Sequence, residues 1–459
     1  MPAKRKAFPL ILILLAAIIA LCGCTVEIYD LQPVLPTVLT PTPFRTATPV
    51  SRQALPLLDA LATSTPPIHL APTPVTAQTA VDILDVRMID GGIGWAIAHL
   101  PNGIGKLIVR TVDGGETWEN VTPPELIYDN LGRNLEPAAY FIDANQAFIL
   151  YWETDRWTPG RGVQVYRTRD AGASWTPFDL PIEGYTLQQF SDVKIRFLTP
   201  QFGWIFATLS RTSDLQFVGL YTTVNGGDSW NMMISSDSTN MPPKGIKNGA
   251  VFRNAAEGWI SGTNPSDSPG TMLYQTKDGG NRWAAVALPA PVGDGVPSDL
   301  FTSGMYSCEM SVPVFVDILY QYAWSRVACR GGSIDGQIAF VYWTYDSGAT
   351  WLSYQLPTAV GHLTFYGIYQ GWYSVPNEGE DPSFPFKILT TQDGGSTWMT
   401  IANTAWDSRL QFITPTIGFG IVDFQGRAAF VKSTDGGYNW VQSFPMLNPD
   451  SRRSGQQIQ

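Results

Sequence analysis

The chain has 459 residues, of which 15% are charged, and its formal net charge is −10 with a sequence pI of about 4.8. This acidic balance argues against a nucleic-acid partner and against binding flat on anionic lipid. Three His and four Cys exclude a His-rich metal cluster, and we expect neither a metal nor a cofactor.

Residues 1–23 have the pattern of a bacterial lipoprotein signal peptide. Lys4, Arg5 and Lys6 precede an apolar run over residues 7–21, which as a helix spans about 22 Å, short of the ~30 Å hydrocarbon core. Leu-Cys-Gly-Cys follows at 21–24 and resembles the lipoprotein box, whose last Cys is diacylated. We therefore predict lipidation at Cys24 and attachment to the extracytoplasmic face of the cell membrane. An ordinary signal peptide followed by a chance Cys is the alternative.

Residues 24–79 hold the predicted lipid-bearing Cys24 and a linker rich in Pro and Thr, with segments such as LPTVLTPTPFRTATP and STPPIHLAPTP. This composition favours extended, polyproline-like conformations over a packed core. At ~3.1 Å per residue the linker reaches about 170 Å when fully extended. We predict a disordered tether that holds the next domain away from the membrane.

One motif recurs seven times between residues 80 and 446. Each copy reads Thr or Ser, any residue, Asp or Asn, any residue, Gly, two variable residues and Trp. The copies are TVDGGETW (111–118), TRDAGASW (168–175), TVNGGDSW (223–230), TKDGGNRW (276–283), TYDSGATW (344–351), TQDGGSTW (391–398) and STDGGYNW (433–440). The spacing of the Trp residues, 42 to 68, is the length of one four-stranded propeller blade. The repeats predict an all-β, seven-bladed β-propeller of four-stranded antiparallel blades, with a disordered tail at 447–459.

The motif residues suit a structural role at a hairpin turn. The Asp or Asn oxygen accepts turn N–H groups, the Gly supplies a positive φ, and the Trp buries its ring between hairpins. A catalytic charge repeated seven times around a ring is implausible. The predicted structural pairs are Asp113 and Trp118, Asp170 and Trp175, Asn225 and Trp230, Asp278 and Trp283, Asp346 and Trp351, Asp393 and Trp398, and Asp435 and Trp440.

A second pattern, a strand followed by a Gly-aromatic pair, precedes most copies, as in VKIRFLTPQFGWIFATL and GAVFRNAAEGWISG. It predicts a blade made of a first strand, a second strand that opens with Gly-Trp, a third strand, the motif hairpin and a fourth strand. The second copy (AAYFIDANQAFILYW) is degenerate and the fifth (VPVFVDILYQYAWSRVA) is distorted.

These motifs are Asp-box (BNR) repeats, and their combination with Gly-Trp resembles the photosystem II assembly and stability factor family. The resemblance covers about residues 80–446. It implies a seven-bladed propeller that is lipid-anchored in cyanobacteria and helps to assemble membrane complexes without catalysis. The same box occurs in sialidases, xyloglucanase-type glycosidases and sortilin-like receptors, so it specifies fold more than function.

Cys308 and Cys329 remain once Cys22 leaves with the signal peptide and Cys24 carries lipid. An even pair in an oxidising compartment predicts a disulfide, located in the distorted fifth blade. Two buried free thiols are the alternative.

The antiparallel topology predicts that a partner binds the face opposite the motif turns, around the central channel. There the loops before the first strands carry Arg133, Glu136, Lys247, His362, Trp406 and Arg409, and a loop between second and third strands carries Trp157 and Arg161. We name Arg133, Glu136, Trp157, Arg161, His362 and Arg409 as candidate partner-binding residues, since Arg and aromatic side chains dominate interface energetics.

Two classes of function compete. Sialidase-like chemistry requires three arginines, a Tyr–Glu pair and an Asp, but the early Arg-Ile-Pro element is replaced by VRMID around Arg87. Xyloglucanase-type enzymes hold paired Asp residues between two propellers, and this chain has one. Loop carboxylates leave two-carboxylate hydrolysis open: Asp155, Asp214, Glu378, Glu380 and Asp381. We expect a non-enzymatic, membrane-anchored scaffold for a protein partner; a glycoside hydrolase or a glycan-binding module is the alternative.

Overall fold

The computed structural model describes residues 78–99, 106–127, 135–153, 163–181, 191–213, 215–235, 239–241, 244–265, 267–378, 382–424 and 427–449. Seven sheets follow one another along these residues, and their strands are antiparallel except at one pairing where the ring closes. The predicted seven-bladed, all-β propeller is therefore confirmed. The predicted signal peptide, tether and tail lie outside the described residues, apart from the ends of the tether and of the tail.

The four main strands of each blade come from one continuous stretch of chain. Blade one contains β1 (Thr79–Ala80), β2 (Asp82–Met88), β3 (Gly94–His99), β4 (Lys106–Thr111) and β5 (Thr117–Asn120), and a helical turn, α1 (Pro124–Ile127), follows it. Blade two contains β6 (Leu135–Phe141), β7 (Ala147–Glu153), β8 (Gln164–Thr168) and β9 (Thr176–Asp179). Blade three contains β10 (Ser191–Phe197), β11 (Gly203–Arg211), β12 (Gln216–Thr223) and β13 (Asn231–Ile234). Blade four contains β14 (Lys247–Phe252), β15 (Gly258–Gly262), β16 (Leu273–Thr276) and β17 (Ala284–Val286).

The remaining blades follow the same order. Blade five contains β18 (Tyr306–Met310), β19 (Val314–Phe315), β20 (Ala323–Gly331), β21 (Gln337–Thr344) and β22 (Leu352–Gln355). Blade six contains β23 (His362–Tyr366), β24 (Gln370–Pro376), β25 (Phe386–Thr391) and β26 (Met399–Thr404). Blade seven contains β27 (Leu410–Phe412), β28 (Gly418–Phe424), β29 (Arg427–Ser433) and β30 (Val441–Ser443), and β31 (Met446–Leu447) ends the chain of strands. No helix among the described residues is long and apolar enough to span a membrane.

The ring closes at the outer edge of blade one. β31 runs parallel to β5, with Leu447 opposite Trp118, and β1 then pairs antiparallel with β31. Blade seven needs no strand from the N-terminus, because its four strands all lie between residues 410 and 443. Closure thus adds two short strands to a complete blade.

Seven apolar clusters form the core, and each lies between two neighbouring blades. The cluster that joins blades seven and one contains Phe419 and Phe430 from one side and Met88 and Trp118 from the other. The other six join successive blades in the same way. Burying a side chain of this size contributes about 1.5–3 kcal/mol, so the interfaces between blades hold most of the apolar free energy of folding.

Blade five differs from the others in its first strand. The strand is split into β18 and β19, which both pair with β20. Cys308 and Cys329 face each other in this pairing, with their Cα atoms 4.1 Å apart, and form the predicted disulfide. Both residues are fully buried, so the disulfide ties the inner strand of the most irregular blade to its neighbour.

Candidate functional site

The seven motif turns share one hydrogen-bond pattern. The Thr or Ser hydroxyl donates to the Asp or Asn at 2.8–2.9 Å. The Gly N–H donates to that hydroxyl at 2.7–3.0 Å. The N–H of the residue before Trp donates to the Asp or Asn oxygen at 2.8–3.0 Å. The polar side chains of the motif therefore make their hydrogen bonds within the turn itself.

The hydrogen bonds of the turns stabilise the ionised carboxylates. Burial alone would raise the pKa of Asp113, but bonds from Thr117 and Thr111 outweigh it and hold that pKa below its usual value. In Asp278 and Asp435 the backbone N–H bonds are the main cause of the lowered pKa. These carboxylates stay charged and bonded at neutral pH, which suits a structural role and not proton transfer.

The seven motif Trp rings are buried or half-buried. Trp118, Trp230 and Trp351 are at least nine-tenths buried, and the other four are half-buried. The Trp118 indole N–H donates to the Gly115 carbonyl of its own turn at 3.0 Å, and three other copies repeat this bond. Trp118 also contacts Phe430 of blade seven edge-on, at 6.1 Å between ring centroids.

The first strands of the seven blades line the central channel. The register places an equivalent residue opposite the start of each second strand: Met88, Phe141, Phe197, Phe252, Phe315, Phe365 and Phe412. Most of these side chains pack between blades, so the preceding residue points to the other side of its strand. These preceding residues, here called the inner ring, are Arg87, Tyr140, Arg196, Val251, Val314, Thr364 and Gln411. The residues two positions earlier, here called the outer ring, are Asp85, Ala138, Lys194, Gly249, Val312, His362 and Arg409.

Electrostatic contacts between distant blades place ring residues in one channel. Asp85 of blade one interacts with Arg196 of blade three and Arg409 of blade seven. Asp85 and Arg196 are accessible to water although protein surrounds them, which is the environment of a water-filled channel. Burial raises the pKa of Asp85, and Arg196 and Arg409 offset only part of this effect. The outer ring lies nearer the face opposite the motif turns.

Tyr140 lies between two guanidinium groups. Arg87 sits over its ring at 4.7 Å from the centroid, and Arg196 at 5.7 Å. Burial lowers the pKa of Arg196, with Tyr140 and Asp85 opposing the shift. The ring quadrupole holds both cations in place without occupying their N–H donors. Among the described residues, Arg87 and Arg409 donate no hydrogen bond, and Arg409 lines the recess described next.

A recess of about 240 Å³ opens between blades five, six and seven. Its walls carry cations, hydroxyls, apolar side chains and one indole, from Ser311, Trp324, Arg326, Gly361, His362, Leu363, Thr364, Arg409 and Leu410. The Trp324 indole N–H and the Arg326 Nε are buried and have no hydrogen-bond partner among the described residues. Such donors cost about 1–3 kcal/mol when unmet, so an acceptor in the recess would be stabilised by both of them.

His362 is held at the edge of this recess by a carboxylate. Its Nε2 lies 3.4 Å from Asp407 Oδ2, and Ser374 donates to Asp407 Oδ1 at 2.7 Å. Burial would raise the pKa of Asp407, but the bonds from His362 and Ser374 outweigh it and lower that pKa. Asp407 therefore stays ionised and fixes the orientation of the imidazole.

Only some of the candidate partner-binding residues lie together in the structure. His362 and Arg409 lie together in the recess, whereas Glu136 pairs with Lys106 of blade one. Two further expectations were wrong: Lys247 is buried, with its ammonium bonded to the Lys244 and Gly245 carbonyls, and Trp406 is buried against Trp440. Burial lowers the pKa of Lys247 to about 8. Cys24, Arg133, Trp157 and Arg161 lie outside the described residues.

Sequence reasoning missed most of the ring residues. The sequence analysis placed candidate binding residues in loops, whereas Arg87, Tyr140 and Arg196 lie within strands. The signal that could have found them is positional: each directly precedes the large apolar residue that faces the second strand. Three His, Cys, Asp or Glu side chains that could hold a metal ion are not found together in the described part of the chain.

No known protein-family profile matches this chain, and no curated protein is similar to it. A GH74 enzyme of Niastella koreensis has a similar fold over 82% of this chain and 55% of its own, with 13% identity and a TM-score of 0.49. The GH74 xyloglucanase from Xanthomonas campestris covers the same shares with 13% identity and a TM-score of 0.46. The α-L-arabinanase of Penicillium chrysogenum covers 66% and 93%, with 11% identity and a TM-score of 0.39. The chain spans about half the length of the two GH74 enzymes, and the likeness is one of fold alone.

Proposed function

We propose that this propeller binds acidic glycans, meaning oligosaccharides that carry carboxylate or sulfate groups, in its central channel. The observation that carries the proposal is charge. The two rings contain four permanently cationic side chains and one carboxylate, in a chain whose net charge is −10. Clefts with charge of one sign concentrate ligands of the other sign, and guanidinium groups donate paired hydrogen bonds to carboxylate or sulfate.

The neutral groups beside these cations favour a sugar. Thr364 brings a hydroxyl to the recess, and Trp324 brings an aromatic ring with a buried, unmatched N–H. Sugar rings combine apolar faces with hydroxyl edges, so they suit a wall of this mixed composition. A carboxylate-bearing sugar near Arg326 and Arg409 would also supply the acceptors that the recess lacks.

Isothermal titration calorimetry with hexagalacturonate, a sulfated hexasaccharide and neutral cellohexaose tests the proposal. We expect binding of an acidic hexasaccharide and none of cellohexaose. Arg196→Ala and Arg409→Ala should each weaken binding about 10- to 100-fold, since a hydrogen bond to a charged group contributes ~1.5–3 kcal/mol. Arg282→Ala removes the same charge from a motif turn on the opposite face and is the matched control.

Other outcomes would redirect the proposal. Equal binding of cellohexaose, or binding that Arg282→Ala weakens as much as Arg409→Ala, would exclude a charge-selective channel. Tight binding of polyglutamate with no binding of any acidic glycan would favour a protein partner, as the resemblance to photosystem assembly factors implies.

Hydrolysis of an acidic glycoside is the second candidate, and the raised pKa of Asp85 favours it, because such a carboxyl is suited to proton donation. Arg87, Arg196 and Arg409 could hold a substrate carboxylate beside Tyr140. However, the rings contain no second carboxylate to act as base or nucleophile. We therefore expect binding without turnover. Release of sugar from sialosides or galacturonates, lost in Asp85→Asn, would instead establish an enzyme.

We also propose that the propeller acts outside the cytoplasm, anchored through lipid on Cys24. The basic start, the apolar run and the Leu-Cys-Gly-Cys box support this, as does the Cys308–Cys329 disulfide, which suits an oxidising compartment. Cys24→Ser should abolish incorporation of radiolabelled palmitate. Labelling that persists in this variant would contradict the anchor.

A further inference from the structure

The turn between the first two strands is longest in blade five. Five residues separate the large apolar residue from the start of the second strand in six blades, as between Phe197 and Gly203. Seven residues separate Phe315 from Ala323. The two extra residues lengthen the fifth turn, which lies at the end of the first strand nearer the motif turns.

Asp317 holds this longer turn in a fixed shape. Its carboxylate accepts the backbone N–H groups of Leu319, Gln321 and Tyr322 at 2.8–3.2 Å. The turn places Tyr320 at a φ of 52°, a left-handed conformation that is sterically unfavourable for a residue other than Gly. The turn therefore holds Tyr320 in a backbone conformation that a Tyr residue does not ordinarily adopt.

The Tyr320 side chain reaches past blade four to blade three. Its hydroxyl donates to the Leu198 carbonyl of blade three at 3.4 Å, passing blade four, and its ring meets Phe315 edge-on at 5.9 Å. It also interacts electrostatically with Tyr140 of blade two. Groups from blades three and five thus contact this side chain at the end of the channel near the inner ring, and Tyr140 of blade two lies within electrostatic range of it.

We infer that Tyr320 closes the channel at the motif-turn end, so that the channel accepts the terminus of an acidic glycan and not an internal segment. This inference rests on the proposed function. A chain that enters past Lys194 and Arg409 meets the cations of the inner ring and then the Tyr320 ring. Its last sugar is held there, and the polymer cannot pass through.

The number of propellers bound per glycan chain tests this inference. Galacturonate oligomers of three, six and twelve sugars are titrated by calorimetry and by sedimentation velocity. Capture of one kind of terminus, reducing or non-reducing, predicts one protein per chain at every length. A count that rises with length would refute end capture while leaving the proposed function standing, and no binding at any length would remove both.

Variants of the turn separate the roles of its residues. Tyr320→Gly should relieve the backbone strain, open the channel and let the dodecamer bind more than one protein. Tyr320→Phe keeps the obstructing ring and should retain one protein per chain, even if the Gly variant folds poorly. Ile318→Ser changes the tip of the same turn, which is 91% exposed, and should leave the count unchanged. A raised count in Tyr320→Phe or Ile318→Ser would contradict a role for the ring.

Discussion

Every blade repeats two features at the same places in its sheet: the turn after the third strand and the channel end of the first strand. The seven turns keep the same three hydrogen bonds, although their variable residues range from Glu116 to Arg282. The seven inner-ring positions hold two Arg, one Tyr, two Val, one Thr and one Gln. The seven motif turns therefore share the same residue chemistry, whereas the seven inner-ring positions, which are also equivalent in geometry, differ in theirs.

The difference follows from what each position must satisfy. A turn has backbone N–H groups that need acceptors and a φ that few residues adopt, so its side chains are determined by the fold. A ring residue lies outside these turns, and its side chain is not required for a turn hydrogen bond, although Gln411, Arg196 and Lys194 do donate to backbone carbonyls. Its identity is free to follow a ligand, and the concentration of cations in this region is what indicates one.

The largest expected effect comes from removing a motif Trp at the ring closure. Trp118 is fully buried, contacts Phe430 of blade seven and faces Leu447 of β31. Trp118→Ala should lower the free energy of unfolding by about 3–5 kcal/mol, measured by urea denaturation. The half-buried Trp283, which makes the same indole bond, is the control and should lose less on replacement by Ala. An equal loss at both positions would mean that closure adds nothing to the repeated turn.

Loss of the disulfide should have the next largest effect. Cys308→Ala combined with Cys329→Ala frees a loop of 21 residues and should cost about 3 kcal/mol in the chain-entropy description. Urea denaturation of the unmodified chain with reducing agent should give a similar decrease. A change below about 1 kcal/mol in both experiments would show that the packing of blade five, and not its crosslink, maintains the split first strand.

The fold could be predicted from the sequence because each repeat is specified by interactions between residues close together in the chain. Asp, Gly and Trp at fixed spacing specify a turn and an interblade ring, and seven copies specify the number of blades. The disulfide followed from the parity of the cysteines. The split of β18 and β19 did not, because two short strands that pair with one neighbour leave no simple alternation.

The channel was far less predictable. His362 and Arg409 were identified because the topology places them at the channel mouth, but the same reasoning also selected Lys247, whose ammonium turns inward to backbone carbonyls. Arg87, Tyr140 and Arg196 are brought together by the closed ring across three blades. No local pattern carries that information, since their proximity depends on the register of three separate first strands.

Acid should weaken the turns together, because six of the seven contain Asp with a lowered pKa. A carboxyl whose folded pKa lies below its unfolded value of about 4 stabilises the fold above that value. This stabilisation is lost as the pH falls through the folded pKa. The free energy of unfolding should therefore decrease from pH 5 to pH 2 in urea titrations.

The third turn supplies the comparison for this effect, since Asn225 already makes the same bonds without a titrating group. Asp393→Asn and Asp346→Asn should make stability less dependent on pH and cost little at pH 7. An unchanged slope in the double variant would assign the acid sensitivity to other carboxylates, of which Asp407 is the first to test.

The smallest expected effect is a gain in stability at the two turns that depart from the repeat. The fourth motif position has a positive φ in every turn. It is Gly in five turns, whereas turns two and five have Ala171 and Ser347 there, with φ of 59° and 60°. Ala171→Gly should raise the free energy of unfolding by about 1 kcal/mol, because Gly adopts this φ without a steric penalty. Gly394→Ala is the reverse control: its φ is 73°, and an added Cβ would lie 3.0 Å from the Ile368 carbonyl, so it should destabilise. If Ala171→Gly proved neutral while Gly394→Ala was costly, close approach to the neighbouring turn, and not φ, would be what keeps the seven turns alike.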